Sequence, residues 1–298
     1  MRKTLSIPRS KGCGLKRNSC LMNKSAHKRR GSVPEKININ GVQLTLRDPD
    51  THESHWIDYN DYVLQLESAW LRLSNDDIPL IPRIVGEPGL GKTTLACAVA
   101  RRTGRDVYIF QCTMDTRPED LVITPVLTGD KQIEYCASAV VTAMIRGAVV
   151  LLDEANRMPE RSWASLAPLM DDRRYIESEV AALKIQAHSN FRLCVTMNAD
   201  ASVYELPGYI QSRLKPKIEI ISPPWQMQKE IVRAKCSQVD DDLLNQVMTE
   251  LKDRAGKGIR DSTRDMLTFA QYAQKLRNGG TNRPMQHASA QVLEKASE

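Results

Sequence analysis

The sequence predicts an α/β fold in which a parallel β-sheet lies between helices, followed by a small α-helical domain. Two observations support this fold class. Residues 86–93 (GEPGLGKT) have the spacing of a phosphate-binding loop, with an apolar run before them and a helical pattern after them. A second apolar run, residues 147–152, ends in the carboxylates Asp153 and Glu154, as expected for a central parallel strand at its carboxyl edge.

The loop contains residue types that suit phosphate oxygens. Its glycines let consecutive backbone N–H groups point inward, Lys92 can reach the β and γ phosphates, and the Thr93 hydroxyl is placed to bind Mg²⁺. A chance glycine-rich turn is the alternative, and the flanking strand, helix and acidic pair disfavour it. We expect these residues to bind ATP with Mg²⁺: Gly86, Glu87, Pro88, Gly89, Leu90, Gly91, Lys92, Thr93 and Thr94.

Charge is unevenly distributed along the chain. The 298 residues carry a net charge of +6, but residues 1–34 contain ten Lys and Arg and no acid, which leaves 32 basic against 36 acidic residues elsewhere. This acid-poor segment lacks a sustained apolar period, so we expect a disordered tail. It is interpreted as a solvated extension or a misassigned start, with nucleic-acid contact or an organelle transit peptide as alternatives.

The sequence disfavours a membrane-spanning protein and a protein with a Cys or His metal site. No run of about 18 apolar residues occurs, so we expect a soluble protein without a membrane span. Seven scattered cysteines suit buried thiols in a reducing cytoplasm. Cys13 and Cys20 with His27 lack a fourth zinc ligand, and His52 and His55 lack partner ligands, so neither group is interpreted as a metal site.

Strands and helices alternate after the tail. The Asn-Gly signal within residues 37–46 predicts a hairpin, and the aromatic stretch 56–71 predicts a helix. A helix is expected after residue 92, a second helical region near 118, and another helix around 163–170. The predicted strands are 81–85, 106–110, 147–152 and 191–198, and 174–176 pairs with 183–185 as a hairpin.

Four parts of the chain follow from this pattern. Helices are predicted at 225–235, 240–252 and 262–276, with Ser262 as the N-cap of the last. The expected parts are the basic tail 1–34, a hairpin and helix packing on the core at 35–78, the α/β nucleotide-binding domain 79–222, and a helical lid with a C-terminal helix at 223–298.

The strand ends suggest catalytic roles. Neighbouring residues at a strand tip diverge, so Asp153 is expected in the Mg²⁺ shell while Glu154 polarises the attacking water. Asn198 ends strand 191–198, where its amide either orients that water or forms a turn. The loop and the acidic pair together predict hydrolysis rather than binding alone.

These segments, with residues 151–159 (LLDEANRMP), 187–193 and 196–198, resemble the AAA+ ATPases of the MoxR, NorQ and CbbQ type over roughly residues 80–275. The resemblance implies that Lys92 and Thr93 belong to Walker A, Asp153 and Glu154 to Walker B, and Asn198 to sensor 1. It nominates Arg213 as an arginine finger acting on a neighbouring subunit and Arg264 as sensor 2, with Arg260 as a competitor for that role.

The same resemblance implies that residues 126–133 form a hairpin inserted in the second helix, facing the ring pore or the client. It also implies a ring, most often hexameric, that remodels or activates a client protein together with a von Willebrand A domain protein. The basic tail and the short sequence after the lid depart from the family pattern.

Two other functions stay open. A nucleic-acid motor or defence-system subunit would use the basic tail as its grip, and DNA would stimulate its hydrolysis. A scaffold that assembles on ATP and rarely turns over is disfavoured by Glu154, since a scaffold needs no water-activating base.

Overall fold

The computed structural model describes residues 35–51, 55–129, 131–199 and 205–293. The expectations for the basic segment 1–34, including Cys13, Cys20 and His27, and for His52 lie outside the described residues. In chain order the strands are β1 (Lys36–Ile39), β2 (Val42–Thr45), β3 (Arg83–Gly86), β4 (Val107–Gln111), β5 (Ile123–Leu127), β6 (Ile133–Ala137), β7 (Val149–Asp153), β8 (Tyr175–Ser178), β9 (Leu183–Gln186), β10 (Arg192–Asn198) and β11 (Lys217–Glu219).

The α-helices among the described residues alternate with these strands at first and then follow one another at the carboxyl end. They are α1 (Tyr62–Trp70), α2 (Lys92–Arg102), α3 (Ala139–Arg146), α4 (Glu160–Leu166), α5 (Gly208–Arg213), α6 (Trp225–Lys235), α7 (Asp241–Gly256), α8 (Thr263–Asn278) and α9 (Pro284–Val292).

A five-stranded sheet in the order β11-β3-β10-β7-β4 forms the centre, and every pairing in it is parallel. Strands β7 and β10 are buried along nearly their whole length, as expected of central strands covered on both faces. Because parallel strands end at the same edge, Gly86, Asp153 and Asn198 come together there, with Asn198 in register with Gly86. The predicted α/β fold class is confirmed.

A second, four-stranded sheet joins two hairpins that the sequence analysis treated separately. The predicted hairpin at 37–46 is formed by β1 and β2, and β2 pairs in parallel with β6 of the insert. The insert hairpin is longer than residues 126–133, since β5 and β6 pair from Ile123 with Ala137 to Leu127 with Ile133. The predicted hairpin of β8 and β9 is also present.

Two helix predictions were partly wrong. Residues 56–61 are not helical, because the Asp58 carboxylate accepts the N–H groups of Tyr62 at 3.1 Å and Val63 at 3.3 Å and so caps α1 where Tyr62 begins it. Near residue 118 the chain makes only a short 3₁₀ turn (Pro118–Leu121) before β5. The helix starts at Ala139, where Ser138 Oγ accepts the Val141 N–H at 3.1 Å.

Helices α6 to α9 bury a core of their own, centred on residues such as Val232, Leu244, Val247 and Phe269. The three helices predicted from residue 225 onward are confirmed. Ser262 caps α8, with its Oγ 3.3 Å from the Asp265 N–H and its own N–H 3.1 Å from the Asp265 carboxylate. The four-part domain division stays a prediction.

The described cysteines agree with the expectation of buried thiols. Cys97, Cys112, Cys194 and Cys236 are buried and Cys136 is half-buried, and these five thiols are free. Among the helices of the described chain, none is long and apolar enough to cross a membrane.

Candidate nucleotide-binding site

The phosphate-binding loop leaves β3 and enters α2. Gly89 has a φ of +81°, a left-handed conformation that glycine adopts without the penalty a Cβ brings. A Cβ at Gly89 would lie 2.7 Å from Ser262 Oγ and 3.2 Å from the Cβ of Arg264, both at the start of α8. The loop therefore packs directly against the helical lid.

Lys92 begins α2 and is buried beneath the loop. Its Nζ donates to the carbonyl oxygens of Gly86 at 2.9 Å and Glu87 at 2.8 Å. The ammonium is thus held inside the curve of the loop, beside the amino end of a helix whose N–H groups favour anions. This is the arrangement expected of a lysine that binds phosphate.

The loop threonine and the first strand acid are in contact. Thr93 Oγ1 lies 2.9 Å from Oδ1 and 3.0 Å from Oδ2 of Asp153. Thr196 of β10 also donates its hydroxyl to Oδ1 of Asp153, and it accepts the backbone N–H of Glu154 at 3.0 Å. Sequence reasoning missed Thr196. Its signal was a polar residue in an apolar strand, two positions before Asn198 and hence on the same face.

Glu154 is turned away from Asp153 by a left-handed backbone conformation, with φ of +54°. Its Oε1 accepts Asn198 Nδ2 at 3.4 Å, and its Oε2 accepts Gln111 Nε2 at 3.2 Å. Arg157 Nε forms an ion pair with Oε2 at 3.1 Å. Sequence reasoning assigned no role to Gln111 or Arg157, although both stand at the carboxyl edge of the sheet.

A cleft of about 520 Å³ opens above the loop and the acidic pair. One wall is lined by the aromatic residues Trp56 and Tyr59, which precede α1. The Trp56 ring packs closely on the loop, since a Cβ added to Gly91 would lie 3.2 Å from it. The lid forms the other wall, where Arg264 lines the cleft and Arg260 does not. Lid residues of the lining include Ile231, Lys235, Thr263, Leu267, Thr268 and Gln271.

Arg213 lies elsewhere. At the end of α5 its Nη1 donates to the Tyr209 carbonyl at 2.6 Å, and its Nη2 is 3.9 Å from Oδ2 of Asp171. It lines a separate cavity of about 330 Å³. The structure therefore brings together the loop, Asp153, Glu154, Asn198 and Arg264 in one cleft and places Arg213 outside it.

Two buried thiols lie near the acids. Burial and the charge of Asp153 raise the pKa of Cys97 to about 11, and burial with the charges of Asp153 and Glu154 raises the pKa of Cys112 to about 12. Both thiols stay protonated at neutral pH, so neither is an activated nucleophile.

The donor set fits Mg²⁺ better than a transition metal. Mg²⁺ takes few protein oxygens and completes its shell with water and phosphate, and the Thr93 hydroxyl beside the Asp153 carboxylate offers such oxygens. Over the described part of the chain, no group of three or more His, Cys, Asp or Glu side chains could hold a metal by itself.

A phosphate-binding loop on a parallel sheet, an acidic pair at the end of β7 and a helical lid define a nucleotide-binding protein of the AAA+ class. Residues 83–214 match the AAA domain of the dynein-related subfamily. The chain is 28% identical over 237 residues to protein NorQ of Paracoccus denitrificans (strain Pd 1222), which covers 76% of this chain and 82% of NorQ.

The denitrification regulatory protein NirQ of Pseudomonas aeruginosa is 29% identical over 150 residues, covering 50% of this chain and 51% of NirQ. The family match and these relatives support an AAA+ ATPase of the MoxR/NorQ type. A solved structure of Thermotoga maritima RuvB, a Holliday junction branch migration motor, superposes with a TM-score of 0.52 at 17% identity, covering 77% of this chain and 66% of that one. At this identity the likeness concerns the fold alone.

Proposed function

We propose that the chain hydrolyses ATP in an oligomeric ring, most simply a hexamer, and uses the cycle to remodel, mature or activate a client protein complex in the cytoplasm. One observation carries the proposal: the Glu154 carboxylate, bonded by Asn198, stands at the same cleft as the contact between Thr93 and Asp153. Binding alone would need the loop but not a second, oriented acid.

The loop residues bind the triphosphate in this proposal. Backbone N–H groups and the Lys92 ammonium hold the phosphate oxygens, and Thr93 with Asp153 would hold Mg²⁺. When bound, Mg²⁺ supplies positive charge that neutralises the phosphates. Thr196 keeps the Asp153 carboxylate aimed at Thr93 through its buried hydroxyl.

Glu154 is the base that polarises the attacking water. Its two oxygens are oriented by Asn198 and Gln111, and Arg157 forms an ion pair with one of them. In this role Asn198 acts as sensor 1. Arg264, on the first turn of α8 and against Gly89, acts as sensor 2 and connects the bound nucleotide to the position of the lid.

Arg213 acts in trans as the arginine finger. It does not line its own chain's cleft, which supports action on the phosphate of a second copy. A planar, permanently charged guanidinium suits the charge of the transferred phosphoryl group. Such a site requires a heterologous, head-to-tail interface, which forms a ring where the rotation between neighbouring subunits closes.

In this proposal the ring acts on another protein. The relatives NorQ and NirQ support an activating role, since NirQ is by name a denitrification regulatory protein. A client protein, and a von Willebrand A domain protein as partner, complete this proposal. The exposed apolar side chains of Val126, Leu127 and Ile133 on the β5–β6 hairpin offer a contact surface for one of them.

Glu154→Gln tests the hydrolytic part. We expect it to keep nucleotide binding and to lower the hydrolysis rate by about 10²-fold or more, the usual size of a general-base contribution. Lys92→Ala should lose binding as well. The matched control is Glu160→Gln, which removes an exposed carboxylate at the start of α4. This variant should hydrolyse ATP like the wild type.

Unchanged hydrolysis in Glu154→Gln would remove the base assignment. Wild-type chain that binds ATP without hydrolysing it would favour the ATP-locked scaffold. Hydrolysis that rises on addition of DNA would favour the nucleic-acid motor.

A further inference from the structure

Arginine side chains converge at the amino end of β10, far from the cleft. Arg192, only 4% exposed, donates Nε to the Trp70 carbonyl at 2.7 Å and Nη1 to the Phe191 carbonyl at 2.9 Å. Arg174 donates Nη2 to the same Phe191 oxygen at 3.2 Å and lies 5.7 Å from the centre of the Phe191 ring. Two guanidinium groups therefore share one neutral acceptor.

Among the residues that the structure describes, no carboxylate forms an ion pair with these arginines. This holds for all four arginines of the cluster, which are Arg72, Arg105, Arg174 and Arg192. They donate to backbone carbonyls instead, as Arg72 Nε does to the Asp77 carbonyl at 2.9 Å. Burial, with the like charges of the other three arginines, lowers the pKa of Arg192 to about 10. The group still carries its charge at neutral pH, so a bound anion would relieve the repulsion.

Arg174 connects this cluster to the cavity that contains Arg213. Arg174, Arg213 and Lys215 all line the 330 Å³ cavity. Asp171 and Asp172 line it too, but the Asp171 carboxylate is already bound by Arg173 at 2.7 Å. Hydrogen bonds in the described chain use only Nη2 of the Arg174 guanidinium, so its Nη1 and Nε stay available to a ligand.

The chain's own nucleotide cannot be that ligand. Arg192 begins β10 and Asn198 ends it at the cleft, and a strand of this length spans about 20 Å. That separation exceeds the reach of an arginine side chain. The anion must come from outside the protomer.

We propose that Arg174, held against Phe191 by its own bond to the carbonyl oxygen, binds the triphosphate held in the cleft of a neighbouring copy, as a second arginine beside Arg213. This inference rests on the proposed ring and adds a residue to its interface. The guanidinium fork matches phosphate oxygens, and the two arginines in one cavity would reach the same anion.

The first test measures ATP-dependent self-association, which does not require hydrolysis. Sedimentation velocity with Mg²⁺ and a non-hydrolysable ATP analogue should show Arg174→Ala associating about tenfold or more weakly than wild type, as expected from loss of a charge-assisted contact. Arg161→Ala, which changes an exposed arginine of α4 outside the lining of this cavity, is the matched control and should associate like wild type. Urea midpoints equal to wild type show that the fold is kept, and Arg174→Lys should recover part of the association.

The second test asks whether Arg174 acts on the other chain. Arg174→Ala and Lys92→Ala, each inactive alone, are mixed as dilute chains and then concentrated together. Random assembly pairs an intact loop with an intact Arg174 at about a quarter of the interfaces, so hydrolysis should recover to about that share of the wild-type rate.

Wild-type association and hydrolysis in Arg174→Ala would overturn the inference. A second contradicting result is a loss of hydrolysis in Arg174→Ala that mixing with Lys92→Ala does not recover, while a mixture of Arg213→Ala with Lys92→Ala does recover. Arg174 would then act within its own chain. If the wild type self-associates on the ATP analogue yet never hydrolyses ATP, the proposed function fails while the association comparison still decides the role of Arg174.

Discussion

Thr196 donates its hydroxyl to the carboxylate of Asp153 from the neighbouring strand of the central sheet. The same oxygen accepts the N–H of Glu154 at 3.0 Å, and Thr196 has no exposed surface. A single buried hydroxyl therefore orients both acids that end β7. The carboxylates of Asp153 and Glu154 point in different directions because of these bonds to Thr196 and because the backbone of Glu154 is left-handed.

Thr196→Val tests the hydroxyl. The change conserves side-chain volume and removes one bond to the Asp153 carboxylate, which Thr93 still contacts, while the Glu154 backbone N–H loses its partner. An unpartnered N–H of this kind costs about 1–3 kcal/mol. We expect lower unfolding free energy and a higher Mg²⁺ requirement for hydrolysis. Thr196→Ser, which keeps the hydroxyl, should restore the wild-type Mg²⁺ dependence, and an unaltered dependence in Thr196→Val would show that the bond is not needed.

Gly89→Ala tests the contact between loop and lid. A Cβ there meets Ser262 Oγ at 2.7 Å, and the left-handed backbone adds about 1–2 kcal/mol. Nucleotide affinity, measured by isothermal titration, should fall by about tenfold or more. Gly104→Ala is the matched control: its φ is +69° but nothing lies within 4 Å of the added Cβ. It should lose stability but keep its affinity, and equal affinities in both variants would contradict the contact's role.

Trp56 should report nucleotide binding. Its ring lies at the cleft wall against Gly91 and 5.8 Å from the ring of Tyr59. Addition of ATP should change the intrinsic fluorescence, and most of the change should vanish in Trp56→Phe. Trp225→Phe, at the start of α6 and outside the cleft lining, should retain it. A change that persists in Trp56→Phe would place the nucleotide away from this wall.

Alkaline pH should destabilise the fold partly through Cys97. Its pKa is raised from 9.0 to about 11, chiefly by burial, so the folded chain holds this proton more tightly than the unfolded chain. The unfolding free energy should therefore be unaffected by this thiol below pH 9 and fall as the pH rises from 9 towards 11. In urea unfolding with reductant, Cys97→Ala should show a shallower fall than wild type, and an equally steep fall in both would contradict the role of this thiol.

The sheet and its site were predictable because their signals are local. The loop 86–93, the run ending in Asp153 and the run ending in Asn198 each carry their role in neighbouring residues, and parallel strands then bring them to one edge. Ser262 was likewise predicted as a cap from the residues that follow it.

What the sequence missed depends on contacts between distant segments. The aromatic spacing of 56–71 fits a helix, but Trp56 and Tyr59 are held outside it by Asp58 and by packing on the loop and on Tyr62. The bonds of Gln111 and Thr196 to the acids, and the meeting of Arg174 with Arg192, join residues on different strands and turns. No single window of sequence contains both partners.

Hydrolysis per subunit, measured against protein concentration in Mg²⁺ buffer for wild type and Arg213→Ala, tests the central claim most directly. If a second copy completes the site, specific activity should rise steeply as chains associate. In Arg213→Ala this rise should be absent, and the hydrolysis rate of the associated chains should be about 10³-fold or more below wild type. Specific activity that stays flat with concentration and is the same in Arg213→Ala would contradict a ring ATPase whose sites are shared between subunits.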